Sequence, residues 1–227
     1  MSAFFKSPAI IVSFVHSQPS DDALQAQGDH IMSKLFTPEN SALLLIDHQV
    51  GTMKLIKNID VEQAKRMSLA LAKAAKILGI PTVLTSSQED RLQGPLLPEL
   101  QEILPEAFDK RVKREGIVNA WTDANFKAAV EATGRKNLIM AGVTTDVCLV
   151  FPAIDAVGEG YNVQAVMDAS GSPYELSEDM SRRRMQDAGV ILTATNTMIA
   201  ELAQNWSTPE GQKLIQLLFT EVLPPIQ

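Results

Sequence analysis

Ala42-Leu43-Leu44-Leu45-Ile46-Asp47 is the stretch that decides the fold. An uninterrupted apolar run closed by a carboxylate is too short for a core helix. It is also too uniform for a strand with one wet face, so it reads as a strand covered on both sides, as in a parallel sheet. Downstream, Val61–Leu78 carries Ala64, Met67, Leu71, Ala74 and Leu78 at helical spacing, with Glu62, Arg66, Lys73 and Lys76 largely off that line. Gly79 and Pro81 stop this helix. Further strands are predicted at Thr82–Thr85, Phe108–Lys113, Leu138–Ala141, Val163–Met167 and Val190–Thr193. Helices are predicted over Asp123–Ala132, Asp146–Val157 and Leu176–Ala188, with one or two more closing the chain. Pro98 and its neighbours make the 86–98 segment a loop, and Pro152 is expected to interrupt the helix after Asp146, leaving a short first turn and then Ala153–Val157.

Strands alternating with helices give right-handed βαβ units, a mostly parallel sheet and helices on both faces: an α/β, three-layer αβα fold. Residues 39–227 form this domain. Residues 1–38 read as an N-terminal extension, broken by Gln18-Pro19-Ser20 and again by Thr37-Pro38-Glu39. Its apolar segment Ile10–Val15 suits an arm packed on a neighbouring subunit better than a bare surface.

Composition narrows the partners. The 227 residues carry a net charge of −7, with 45% hydrophobic and 21% charged residues. Such a balance excludes wholesale disorder, and an acidic surface disfavours nucleic acid and anionic membrane. No stretch approaches the ~18 apolar residues of a membrane helix. The lone Lys6 and the lack of a small-x-small site argue against a secretory signal, so a cytoplasmic location is expected. A single cysteine rules out an intramolecular disulfide.

In a parallel sheet, reactive groups gather beyond the carboxyl ends of the strands. Asp47 lies there, and so does Gly142-Val143-Thr144-Thr145-Asp146-Val147-Cys148. Thr144 and Thr145 are candidate N-caps, which puts Cys148 in a first helical turn. There free N–H groups and the helix dipole favour thiolate and offer an oxyanion site. Position alone leaves the plainer reading ahead, because free cysteine usually packs as a small hydrophobe. Histidine is an unlikely base: His16 and His30 lie in the extension, and His48 points to the face opposite Asp47. Asp47 is the better candidate base, although strand-end aspartates are commonly turn formers. In Lys110-Arg111-Val112-Lys113-Arg114 most charges read as solvated surface, and Arg114, on the face of Val112, is the one expected to turn inward. No phosphate-binding, dinucleotide or zinc motif is present, so neither metal nor cofactor is expected.

The motifs Leu44-Leu45-Ile46-Asp47-His48-Gln49, Pro81–Thr85, Arg114 through Asn119-Ala120-Trp121, Ala141–Cys148 and Asp168-Ala169-Ser170-Gly171 together resemble the isochorismatase-like cysteine hydrolases, most closely the YcaC-like subgroup. The likeness runs from about Ser41 to the C-terminal region and leaves the extension uncovered. It implies Rossmann-like topology and a triad of Cys148 as nucleophile, Asp47 as base and Arg114 as cation. It further implies a thioester-type covalent intermediate on amide-type C–N substrates, a cis peptide between Val143 and Thr144, and an oxyanion hole from the Thr144 and Cys148 N–H groups. Most of the family has lysine at the cationic position, so Lys113 stays open as the alternative. Arginine holds a carboxylate in bidentate fashion but does not shuttle protons near neutrality. Gln49, Asn119, Trp121 and Phe151 are candidate pocket residues. The resemblance also implies a homo-oligomer, octamer-like in the subgroup. Two other functions remain open: a thiol redox sensor, disfavoured by the lack of a resolving cysteine, and a non-catalytic assembly that keeps the fold.

Overall fold

A computed structural model describes residues 35–225, and the predicted arm at Ile10–Val15, like most of the 1–38 extension, lies outside them. Six strands, β1 (Ser41–Ile46), β2 (Thr82–Ser87), β3 (Val112–Arg114), β4 (Asn137–Gly142), β5 (Asn162–Val166) and β6 (Ile191–Thr193), form one sheet in the order β3-β2-β1-β4-β5-β6. Every pairing is parallel. The order runs one way from β1 through β2 to β3 and the other way from β4 to β6. A topological switch point therefore falls between β1 and β4, where such sheets open a crevice beyond the strand ends.

Alternation along β1 divides the core. Leu43 and Leu45 face a layer made by α1 (Val61–Leu78), α2 (Pro98–Ile103), α7 (Thr195–Ala203) and α8 (Pro209–Leu217). Ala42, Leu44 and Ile46 face α4 (Ala124–Glu131), α5 (Val150–Gly158) and α6 (Glu175–Asp187) on the other side. All six β1 residues are buried, as the apolar run requires. Phe36 is buried with the first layer, and its N–H donates to Glu201 Oε1 at 2.6 Å. Asp60 caps α1 by accepting from Gln63 N, and Gly79 ends it at φ +66°, which only glycine adopts without strain.

Two local expectations change. The strand predicted at Phe108–Lys113 shrinks to Val112–Arg114, and Phe108 belongs instead to α3 (Pro105–Asp109). The predicted loop persists to Leu97, and Pro98 and Pro105 then each open a short helix at the first position, where a missing N–H costs nothing, so helix replaces the start of the predicted strand. Pro152 does not break its helix. The irregularity comes earlier, as a π-turn over Thr145–Leu149, and α5 then runs through Pro152 in its first turn, where the ring is tolerated.

Candidate active site

Asp47 leaves β1 at φ +58°, a left-handed conformation uncommon outside glycine, though aspartate accepts it more readily than most residues. Three bonds hold it there. Its N–H donates to Thr85 O at 3.0 Å, and its own carbonyl accepts from Gln49 N at 2.7 Å and Thr52 Oγ1 at 2.6 Å. The turn sends the carboxylate into the crevice rather than on along the strand.

β3 delivers the cation. Alternation turns Arg114 inward at 2% exposure and Lys113 outward, where its ammonium pairs with Glu89 at 3.2 Å. Arg114 Nη2 donates to both oxygens of Asp47. Its Nε donates to Thr85 Oγ1 at 3.1 Å, and Nη1 donates to the carbonyls of Ile117 at 2.6 Å and Val118 at 3.5 Å. The Cys148 thiol completes the cluster with a hydrogen bond to the Asp47 carboxylate.

Burial raises the Asp47 carboxyl above the ordinary carboxylate range, with Arg114 pulling the other way. Burial also pushes the Cys148 thiol well above its usual value, and the Asp47 charge beside it adds to the effect. The helix-terminus expectation of a resting thiolate is therefore overturned. The side chain of Thr144 makes no capping bond, and desolvation plus a carboxylate outweigh a partial dipole.

The bond between Val143 and Thr144 is cis. Of the two expected oxyanion donors, the Thr144 N–H lies against the Cys148 sulfur, where it favours the thiolate. The Cys148 N–H is already given to Thr144 O at 2.8 Å, which leaves it poorly placed for a second acceptor. Above the cluster lies a cavity of about 1040 Å³, whose wall includes Asp47, Arg114, Val143, Thr144 and Cys148. His48 stands apart on the other face. Its Nε2 bonds Ala169 O at 2.9 Å, and burial lowers its pKa to about 4, so it stays neutral.

Four predicted pocket residues do not line the cavity. Gln49 is buried and clamps backbone instead: its Oε1 accepts from Ser87 N at 2.8 Å, and its Nε2 donates to the carbonyls of Ser87 and Gly94. Asn119 caps Trp121 N at 3.0 Å and donates to Asp155 at 2.6 Å. Trp121 packs edge-on against Tyr161 with ring centroids 5.2 Å apart. Phe151 joins the second core layer beneath the Arg184 guanidinium. The walls come instead from Gly51, Leu55, the Ser87–Gln93 segment, Val118 and Val147. One sequence signal does point to that segment: it leaves the carboxyl end of β2, on the same sheet edge as Asp47.

The isochorismatase domain model matches residues 41–197. The chain belongs to the isochorismatase family. It is 41% identical over 186 residues to the probable hydrolase YcaC of Escherichia coli, covering 82% of this chain and 87% of that one. A solved structure of YcaC from Pseudomonas aeruginosa, with hexane-2,5-diol and covalent acrylamide, superposes with a TM-score of 0.80 at 38% identity, covering 85% of this chain and 94% of that one. The Escherichia coli YcaC structure, an octameric hydrolase of unknown specificity, gives 0.79 at 38% identity, with 84% and 92% covered. Membership of the isochorismatase family, with a YcaC relative at this identity, makes the chain a hydrolase. Among the described residues no helix is long and apolar enough to cross a membrane, and no group of three or more His, Cys, Asp or Glu side chains is placed to hold a metal ion.

Proposed function

We propose that this isochorismatase-family hydrolase cleaves small amide-type C–N bonds with Cys148 as nucleophile, Asp47 as base and Arg114 as the cation that holds the base. The observation that carries the reading is the buried chain Arg114–Asp47–Cys148 at the cavity floor. A thiol held protonated beside a carboxylate of raised pKa is a proton-transfer pair waiting for an electrophile.

Asp47 takes the thiol proton as Sγ bonds to the substrate carbonyl carbon, and the oxygen takes up negative charge near the Thr144 N–H. Collapse breaks the C–N bond, and the amine leaves with the proton from Asp47, giving a thioester. Water then gives a proton to Asp47 and attacks the thioester carbon. Expulsion of the sulfur, reprotonated from Asp47, frees the acid and restores the thiol. Amide and water become carboxylic acid and amine. Arg114 stays charged throughout and fixes the carboxylate rather than relaying the proton. The covalent acrylamide on the Pseudomonas aeruginosa relative supports a reactive nucleophile on this fold.

Ammonia release from a panel of small primary amides tests the reading. Turnover by the native chain that falls at least about a thousandfold in Cys148→Ala supports it. Equal rates in both proteins refute it. The octameric relative and the exposed Tyr174, Leu176 and Met180 on and beside α6 support a homo-oligomer, and light scattering showing a monomer at micromolar concentration would contradict that.

A further inference from the structure

The charged groups at the cavity floor, and most of the polar groups around it, are committed to the protein itself. All five N–H donors of Arg114 are used: two on Asp47, one on Thr85 and two on the carbonyls of Ile117 and Val118. Guanidinium has no sixth donor, so none is left for a substrate carboxylate. Arg91, the other cation of the wall, is solvent-exposed beside the equally exposed Asp90 at 3.5 Å. Gln93 donates to Gln88 at 3.2 Å, and Gln88 donates to Glu115 O at 3.1 Å. Thr52 Oγ1 is on Asp47 O, and the Ser87 backbone is clamped by Gln49.

Beyond the solvent-exposed Arg91 and Asp90 and the hydroxyls of Ser87 and Thr144, what the wall leaves without a partner is apolar. Leu55, Leu92, Val118 and Val147 all line the cavity, and 50%, 97%, 58% and 36% of their surface remains exposed. The volume of about 1040 Å³ lies just above the usual range for drug-sized ligands and far exceeds the needs of a two-carbon amide. We infer that the part of the substrate retained on Cys148 is uncharged and apolar, an aliphatic or aromatic acyl group without a carboxylate. This inference rests on the thiol-hydrolase reading above.

Straight-chain aldehydes from propanal to octanal test it on the full chain. The thiol adds across the aldehyde carbonyl, Sγ bonding to carbon and the thiol proton passing to oxygen, so protection of Cys148 from iodoacetamide reads acyl-side binding without turnover. Protection is expected to strengthen by up to about fourfold per methylene over several carbons. Succinic semialdehyde should protect at least about tenfold more weakly than butanal, and Leu55→Ser with Leu92→Ser should flatten the series. A flat series in the native chain, or a semialdehyde as strong as butanal, overturns the inference. Cys148-dependent ammonia release alongside a flat series leaves the hydrolase reading standing and removes only the acyl preference. A graded series with no ammonia release from any amide sinks the amide-cleaving reading and keeps the apolar site.

Discussion

At the cavity floor, Asp47 and Arg114 are 1–2% exposed and their polar atoms are matched inside the protein, whereas at the rim Leu55, Leu92 and Val118 leave half or more of their surface open. The floor is charged and buried, and three hydrogen bonds to its own N–H and carbonyl hold a left-handed aspartate in place there. The rim is largely apolar, and its most exposed member, Leu92, is carried on a segment buttoned to the β1 end through Val50 N to Pro95 O at 2.9 Å and Gly51 N to Gln93 O at 2.8 Å. Chemistry and selection are thus assigned to different parts of the chain, and substitutions should separate them.

The largest expected effect is at the floor. Arg114→Met strips a buried carboxylate of its partner and should cost about 3–5 kcal/mol in denaturant unfolding, along with most of the activity. Without the guanidinium, the folded pKa of Asp47 rises further above its unfolded value. The variant should therefore lose stability as pH rises through and above about 4, and a stability curve that is flat with pH would contradict the buried pair. Next comes the button between floor and rim. A Cβ on Gly51 would stand 1.9 Å from Leu92 O, so Gly51→Ala must push the segment outward. It should cost about 1–3 kcal/mol, and should weaken kcat/KM more for long acyl amides than for acetamide. An equal loss across substrates would mean that segment does not select. Smallest is the rim itself. Leu92→Ser removes a side chain that is almost fully exposed, so the unfolding free energy should change by less than about 0.5 kcal/mol. A larger loss would mean that Leu92 is buried in the working assembly.

The sheet was legible because β1 and β4 bury both faces and write that into unbroken apolar runs. The meeting of Asp47 and Cys148 followed from their places beyond the carboxyl ends of parallel strands, and the inward turn of Arg114 followed from its sharing a strand face with Val112. Of the cavity wall, the 86–98 loop was legible as a source of lining residues, but the individual residues were not. Asn119 caps a turn, Trp121 fills core and Phe151 packs against it, while the real wall depends on the Gly51–Leu92 approach and the Gln49 clamp. Those are long-range backbone contacts with no periodic trace. Local reasoning also gave the wrong sign for the thiol. A helix terminus is visible in sequence, but the burial and the neighbouring carboxylate that outweigh it belong to the folded site.

The most direct test is the rate of Cys148 alkylation by iodoacetamide between about pH 5.5 and 9.5, in the native chain and in Asp47→Asn. If Asp47 takes the thiol proton, the thiolate–carboxylic acid form is available at a nearly constant level. The native rate should then stay almost level through neutrality and climb only above the ordinary thiol range. In Asp47→Asn the proton must go to solvent, so the rate should fall about tenfold per pH unit below the thiol pKa and drop under the native rate in acid. Parallel profiles in the two proteins would contradict Asp47 as the base.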